Sequence, residues 1–128
     1  MMLPRQLHIL VIDDNEDILF MLQAMLLHKG YKVSIKENTY NLEMFLKELC
    51  PGIILMDMLL SGTDGREVCR HIKSIEAFSH LPVIMISAHP QAAAECLAAG
   101  ANYFLEKPFE MEDLFKVVGD AENDAQKN

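Results

Sequence analysis

Cysteine is scarce in this sequence and its spacing suggests no pairing. Cys50, Cys69 and Cys96 are an odd count, far apart, with no CxxC among them. They offer no disulfide framework and are expected to be buried or partly buried thiols in a reducing compartment. His8, His28, His71 and His80 share no ligand spacing with the cysteines or with one another, which argues against zinc. No apolar run approaches the ~20 residues of a membrane span, and Met1-Met2-Leu3-Pro4-Arg5-Gln6 lacks the apolar core of a signal peptide. A cytoplasmic protein without membrane contact is the expectation. Positive charge is also short: 11 Lys and Arg against 19 Asp and Glu leave a formal net charge of −8. Nucleic acid, whose phosphates need a basic face, is therefore not expected as a direct partner. Linkers, internal repeats and low-complexity segments are missing too. At 128 residues a single domain is expected over 1–128, with its core about 7–119 and a polar tail, 120–128, that frays.

Hydrophobic residues make up 51% of the chain, which suits an α/β core, and the nine methionines read as core filler. The most apolar stretch, Ile53-Ile54-Leu55-Met56, runs straight into Asp57. Bounded by Pro51-Gly52 and by Ser61-Gly62-Thr63-Asp64-Gly65, it reads as a strand buried on both faces. A carboxylate is costly inside such a strand, so Asp57 is expected at its exposed carboxyl end, the edge where open parallel sheets bind ligands. Four further strands are expected: His8 to Ile12, an alternating edge strand from Lys32 to Lys36, Val83 to Ile86, and a short one over Tyr103-Phe104-Leu105.

Helices fill the gaps. Asn15 is a good N-cap for a helix with Glu16 and Asp17 in its first turn and Ile18, Leu19, Leu22, Met25 and Leu26 on one face, ended by Gly30. Leu42, Phe45, Leu46 and Leu49 mark a second, whose Glu43, Lys47 and Glu48 are solvated. Asp64 can cap a third with Val68, Cys69 and Ile72 inward. Ala92 to Ala99 forms a fourth, and a fifth carries Met111, Leu114, Phe115 and Val118 inward. Five strands alternating with five helices imply an α/β fold, a doubly wound parallel sheet covered on both faces and joined by right-handed crossovers.

In a parallel sheet the carboxyl ends of the strands share one edge. Here they deliver Asp13 and Asp14 after the first strand, Asp57 after the third, Ser87 after the fourth and Lys107 after the fifth. Three crowded carboxylates repel, so positive charge must sit among them. Lys107 supplies one, and a hard divalent cation such as Mg²⁺, which takes few carboxylates plus waters, is the natural other. Singly, these residues have ordinary readings: a turn and helix cap for Asp13-Asp14, a cap for Ser87, a strand-end break for Lys107-Pro108. Their order, each behind an apolar strand, sets them apart.

Asp13-Asp14, Asp57, Ser87-Ala88 and Lys107-Pro108-Phe109 resemble the signature of response-regulator receiver domains, the phospho-acceptor half of two-component signalling. Asp64-Gly65 and Gly100-Ala101-Asn102 match the same pattern, and the resemblance runs from about His8 to Val118. It implies a flavodoxin-like sheet with strand order 2-1-3-4-5, in a chemotaxis-type single-domain receiver. It also implies that Asp57 takes a phosphoryl group from the phosphohistidine of a histidine kinase or phosphotransfer protein. Mg²⁺ would bind Asp14 and Asp57 directly, the backbone carbonyl of Leu59, and Asp13 through water. Lys107 would pair with the phosphoryl group and the Ser87 hydroxyl would bond one of its oxygens. An aspartate suits the acceptor role because it is ionised at neutral pH and needs no activating base.

On the output side the resemblance implies that Ser87 moves, that Phe104 turns inward, and that a downstream protein target reads the surface of the fourth helix, fifth strand and fifth helix. Phe104 is first a core residue, and many family members have Tyr there. Ser61 stands where the family usually has Pro, which implies a less rigid loop. Leu59 and His89, each two residues beyond a site residue, occupy positions that tune the phosphate's lifetime, and an apolar Leu59 is expected to shield the acyl phosphate. His89 itself is expected in a solvent-exposed loop. With no effector domain in the sequence, output is expected by protein contact from a signalling domain, not an enzyme, that catalyses only its own phosphorylation and slow dephosphorylation. The alternatives fit less well. A haloacid-dehalogenase-like phosphatase needs a second acid where Leu59 stands. A flavodoxin-like cofactor site needs a Gly-, Ser- and Thr-rich phosphate loop where Asp13-Asp14 would repel one. An unphosphorylated receiver-like docking module often loses the acid set that is intact here.

Overall fold

The computed structural model describes residues 6–126; the readings of residues 1–5 and 127–128 fall outside them. Five parallel strands form one sheet: β1 (His8–Ile12), β2 (Lys32–Lys36), β3 (Ile53–Asp57), β4 (Val83–Ser87) and β5 (Tyr103–Glu106). Their spatial order is β2-β1-β3-β4-β5, as the resemblance implied. Between and after them run α1 (Glu16–His28), α2 (Leu42–Leu49), α3 (Gly65–Ser74), α4 (Ala92–Ala98) and α5 (Met111–Gln126).

The apolar runs follow from this layering. Side chains alternate across a strand, and here both faces are covered. Leu10, Ile12, Ile54, Met56, Val83 and Met85 meet Leu42 and Leu46 of α2, Cys69 and Ile72 of α3, and Ala92 and Cys96 of α4. Their neighbours Ile9, Val11, Ile53, Leu55, Ile84 and Ile86 meet Leu19, Leu22 and Leu26 of α1 and Leu114, Val118 and Ala121 of α5. The expected caps are in place: the Asn15 side chain accepts from the Ile18 N–H at 3.1 Å and Asp64 from the Arg66 N–H at 2.9 Å. Gly30 follows α1 with φ +103°, a conformation that costs glycine little. The Asn102 side chain aligns β5 with β4, its oxygen accepting from the Val83 N–H at 2.9 Å and from Lys73 Nζ at 2.8 Å.

Three expectations need correction. Over its described part, 120–126, the polar tail does not fray: α5 continues to Gln126. Ala121 extends the Leu114–Val118 stripe into the core, and the Tyr31 hydroxyl donates to Glu122 at 3.3 Å. Met111 does not point inward; as the first residue of α5 it is exposed, and the buried stripe starts a turn later at Leu114. Cys50 is an exposed thiol, because it caps α2 in the left-handed region with φ 50°. The sequence reading also left out a small antiparallel ribbon, Leu59–Leu60 against Thr63–Asp64, and a 3₁₀ turn over Glu76–Phe78.

Candidate functional site

The carboxyl edge of the sheet gathers the residues singled out above. Asp13 follows β1 and stays tied to β2, its N–H donating to the Lys36 carbonyl at 3.2 Å. Its side chain is buried. Oδ1 accepts from the Asn15 N–H at 2.9 Å, while Oδ2 is buried with no hydrogen-bond partner. Asp57 closes β3 at a half-buried position opposite Ile86 of β4. Lys107 lies one residue past β5, placed there by its N–H, which donates to the Ser87 carbonyl at 2.8 Å. Its Nζ reaches to 3.3 Å from Asp57 Oδ1 and 3.9 Å from Asp13 Oδ2. The Lys107–Pro108 peptide is cis. Asp14 is exposed, and its Oδ2 accepts both the Ser61 N–H, at 2.8 Å, and the Ser61 hydroxyl.

The environment divides the three acids. Burial pushes the Asp13 carboxyl above its ordinary range, against the pull of the Asn15 N–H, and the Asp57 charge adds to the rise. Burial likewise pushes Asp57 up, partly offset by the Lys107 ammonium. Asp14 is held low, chiefly by the Ser61 hydroxyl. A buried and a half-buried acid that both resist ionising, with one cation between them, form a pocket short of positive charge.

Ser87 is buried, one residue beyond the partner of Asp57, and its hydroxyl accepts from the His89 N–H at 3.1 Å. Phe104 is not beside the carboxylates. It is half-buried opposite Met85 and packs on the α2–α3–α4 side of the core. Leu59 opens the ribbon two residues past Asp57 with its side chain 53% exposed, and His89 is exposed. The ribbon's turn is where sequence reasoning fell short. Ser61 was read as loosening this loop, yet its two donors fasten the loop to Asp14 across 47 positions of chain. The available signal was Ser61-Gly62 itself, a turn pair at the tip of the loop after β3.

Gly65 packs against the backbone that carries Asp57. A Cβ there would lie 2.6 Å from the Asp57 carbonyl oxygen and 2.9 Å from that of Met58, and the Gly65 N–H donates to the Met58 carbonyl at 2.7 Å. Backbone must therefore move to admit a methyl group. Gly65→Ala is expected to cost about 1–3 kcal/mol and to displace Asp57, read as a lower midpoint in chemical denaturation together with shifted amide resonances at Asp57 and Met58.

A small divalent cation fits this donor set. One oxygen each from Asp13, Asp14 and Asp57 lie within 4.8 Å of one another, and ligand oxygens on one octahedral Mg²⁺ sit about 3–4 Å apart. The unpartnered Asp13 Oδ2 is the kind of buried acceptor that a water on such an ion would satisfy.

The family model of the response regulator receiver domain matches residues 9–119. This chain belongs to the response regulator receiver family. The receiver domain is 37% identical over 110 residues to the transcriptional regulatory protein YkoG of Bacillus subtilis, itself uncharacterized, covering 84% of this chain and 47% of that protein. It is 37% identical over 113 residues to the response regulator PleD of Caulobacter vibrioides, covering 86% of this chain and 25% of PleD. Among solved structures, NtrX of Brucella abortus superposes with a TM-score of 0.87 at 28% identity, over 95% of this chain and 28% of that one. The chemotaxis response regulator CheY4 of Vibrio cholerae gives 0.84 at 23% identity over 91% and 99%, a likeness of fold alone. The receiver domain thus spans about half the length of YkoG and a quarter of PleD. Among its described residues no helix is long and apolar enough to cross a membrane.

Proposed function

We propose that Asp57 of this two-component receiver domain is a phospho-acceptor, that Mg²⁺ assists it, and that the α4–β5–α5 surface reports its state to a protein target. The observation carrying this reading is the Asp57 carboxylate at the strand edge, 3.3 Å from the Lys107 ammonium, with two more acids close enough to share a cation.

An Asp57 carboxylate oxygen attacks the phosphorus of a phosphohistidine on a histidine kinase or phosphotransfer protein. The P–N bond breaks, its electron pair leaves with the imidazole, and an acyl phosphate forms. Lys107 sits against the charge of the transferred group, and the Ser87 hydroxyl turns from the His89 N–H toward a phosphoryl oxygen. Asp14, Asp57, the Leu59 carbonyl and, through water, Asp13 would hold Mg²⁺, which would supply positive charge to the phosphoryl oxygens. Little covalent work is asked of the protein, since positioning and charge neutralisation carry most of phosphoryl transfer. Water later attacks the phosphorus, the bond to Asp57 breaks, and phosphate leaves. The new charge draws Ser87 inward, and Phe104 turns after it, changing the face of α4, β5 and α5.

The donor's docking face is α1. This helix is apolar on its outer side as well as its inner one, exposing Phe20, Met21 and Leu27, which on a surface helix points to a partner. Met21 lines a cleft with Ile18, Ala88, Pro108 and Phe109 beside Lys107. Phe20→Glu is expected to slow transfer from a phosphohistidine donor at least about tenfold while leaving modification by a small phosphodonor unchanged; equal slowing of both would remove α1 from the docking face. The function as a whole is tested with beryllofluoride, a phosphoryl mimic. In the presence of Mg²⁺ it is expected to shift the amide resonances of Ser87, Phe104 and the α4–β5–α5 face, and shifts that do not depend on Mg²⁺, or no shifts, would overturn the reading.

A further inference from the structure

We propose that Ser61 is a positioning residue for the cation site, holding Asp14 in the conformation in which it serves as a metal ligand. The inference rests on the phospho-acceptor reading for the identity of the cation. Asp14 sits in the loop after β1 with its side chain in solvent, where an aspartate would ordinarily sample several rotamers. Ser61 sits in the loop after β3, at the two-residue turn of the ribbon in which Leu60 pairs with Thr63 and Leu59 with Asp64. Gly62 completes that turn with φ +71°. Both donors of Ser61 fall on one oxygen of Asp14, Oδ2, and we assign Oδ1 to the cation.

The bonds therefore fix a ligand on one side of the site and tie it to the segment that carries another, the Leu59 carbonyl. A carboxylate already held in place loses less freedom when it binds. Two hydrogen bonds also draw charge from the carboxylate and weaken it as a ligand, but with the cation assigned to Oδ1 they act on the other oxygen, and the gain from fixing the side chain is the larger effect. Partners of this kind commonly change metal affinity about 10–100-fold; with Asp14 and Ser61 both exposed, the lower end applies. A proline at this position has no N–H and no hydroxyl, so this chain does by hydrogen bonding what loop stiffness does where Pro stands.

Three variants separate the donors. Ser61→Thr keeps both, Ser61→Ala keeps only the N–H, and Ser61→Pro keeps neither. Calorimetric titration with Mg²⁺ alone is expected to place Ser61→Thr within about twofold of the unaltered protein, Ser61→Ala about threefold weaker and Ser61→Pro about tenfold weaker. Thermal melting without metal identifies any variant that fails to fold, and Ser61→Ala, which leaves the backbone unconstrained, carries the comparison if Ser61→Pro does. Folded Ala or Pro variants that bind Mg²⁺ as tightly as the unaltered protein, or more tightly, overturn the proposal. Unaltered protein that binds no Mg²⁺ at millimolar concentration fails the phospho-acceptor reading instead.

Discussion

Asp13→Asn and Asp57→Asn are each expected to stabilise the metal-free protein at pH 7, by about 1–3 kcal/mol, or roughly 3–10 °C in melting temperature for a chain of this size. Most substitutions of buried polar residues destabilise, so the sign is informative. Both acids sit where burial disfavours their charge. Asp13 has an oxygen with no hydrogen-bond partner, and one ammonium serves both carboxylates. Asparagine keeps the shape and removes the charge.

The pH dependence follows from the same shifts. The carboxyls of Asp13 and Asp57 are raised above the unfolded value of 3.8, so the folded chain holds these protons where the unfolded chain has released them. Their favourable contribution is present in acid and is lost as pH rises from 3.8 through the folded values, above which the deficit is complete. Asp14 and Asp64 act the other way. Their carboxyls are lowered, by Ser61 and by Arg66 respectively, so their stabilisation is present above 3.8 and is lost as pH falls through their folded values. Melting in EDTA is therefore expected to improve from neutral pH into mild acid and to fail in strong acid, and Asp13→Asn should flatten the upper limb. A stability that declines steadily from pH 7 downward would contradict the assignment of strain to these two acids.

Lys107→Ala is expected to lower metal-free stability by about 3 kcal/mol. Its Nζ is the cation facing both Asp13 and Asp57, with a side chain only 23% exposed, so its removal leaves two buried charges uncompensated. Adding Asp13→Asn to Lys107→Ala should recover more than Asp13→Asn gains on its own, with a coupling above about 1 kcal/mol in a double-mutant cycle. Strict additivity, measured by denaturant unfolding, would mean that Lys107 contributes through its methylene packing alone.

The layered sheet was legible in the chain because its central strands are buried on both faces, and such strands can be written only as apolar runs ending in polar groups. That rule also located Asp13, Asp57, Ser87 and Lys107, each the first polar residue beyond a run or close behind it. Features set by outward polarity and long-range bonds were less legible. The end of α5 is polar on its outer face, which hid the small residue, Ala121, that carries its apolar stripe into the core. Met111 was counted into an apolar stripe although the first turn of α5 lies beyond the core. Cys50 has the chemistry of a buried residue, but the left-handed cap after α2 turns it to solvent. Ser61 could not be matched to Asp14 from spacing, because 47 residues separate them and only the folded loops bring them together.

Intact-mass analysis of the unaltered protein and of Asp57→Asn, after incubation with Mg²⁺ and a small phosphodonor such as phosphoramidate, tests the shared site most directly. The expected result is one acid-stable, base-labile phosphoryl adduct on the unaltered protein, prevented by EDTA, and none on the variant. An adduct that persists in Asp57→Asn would contradict the acceptor assigned to this strand edge, and one that forms undiminished in EDTA would contradict the cation.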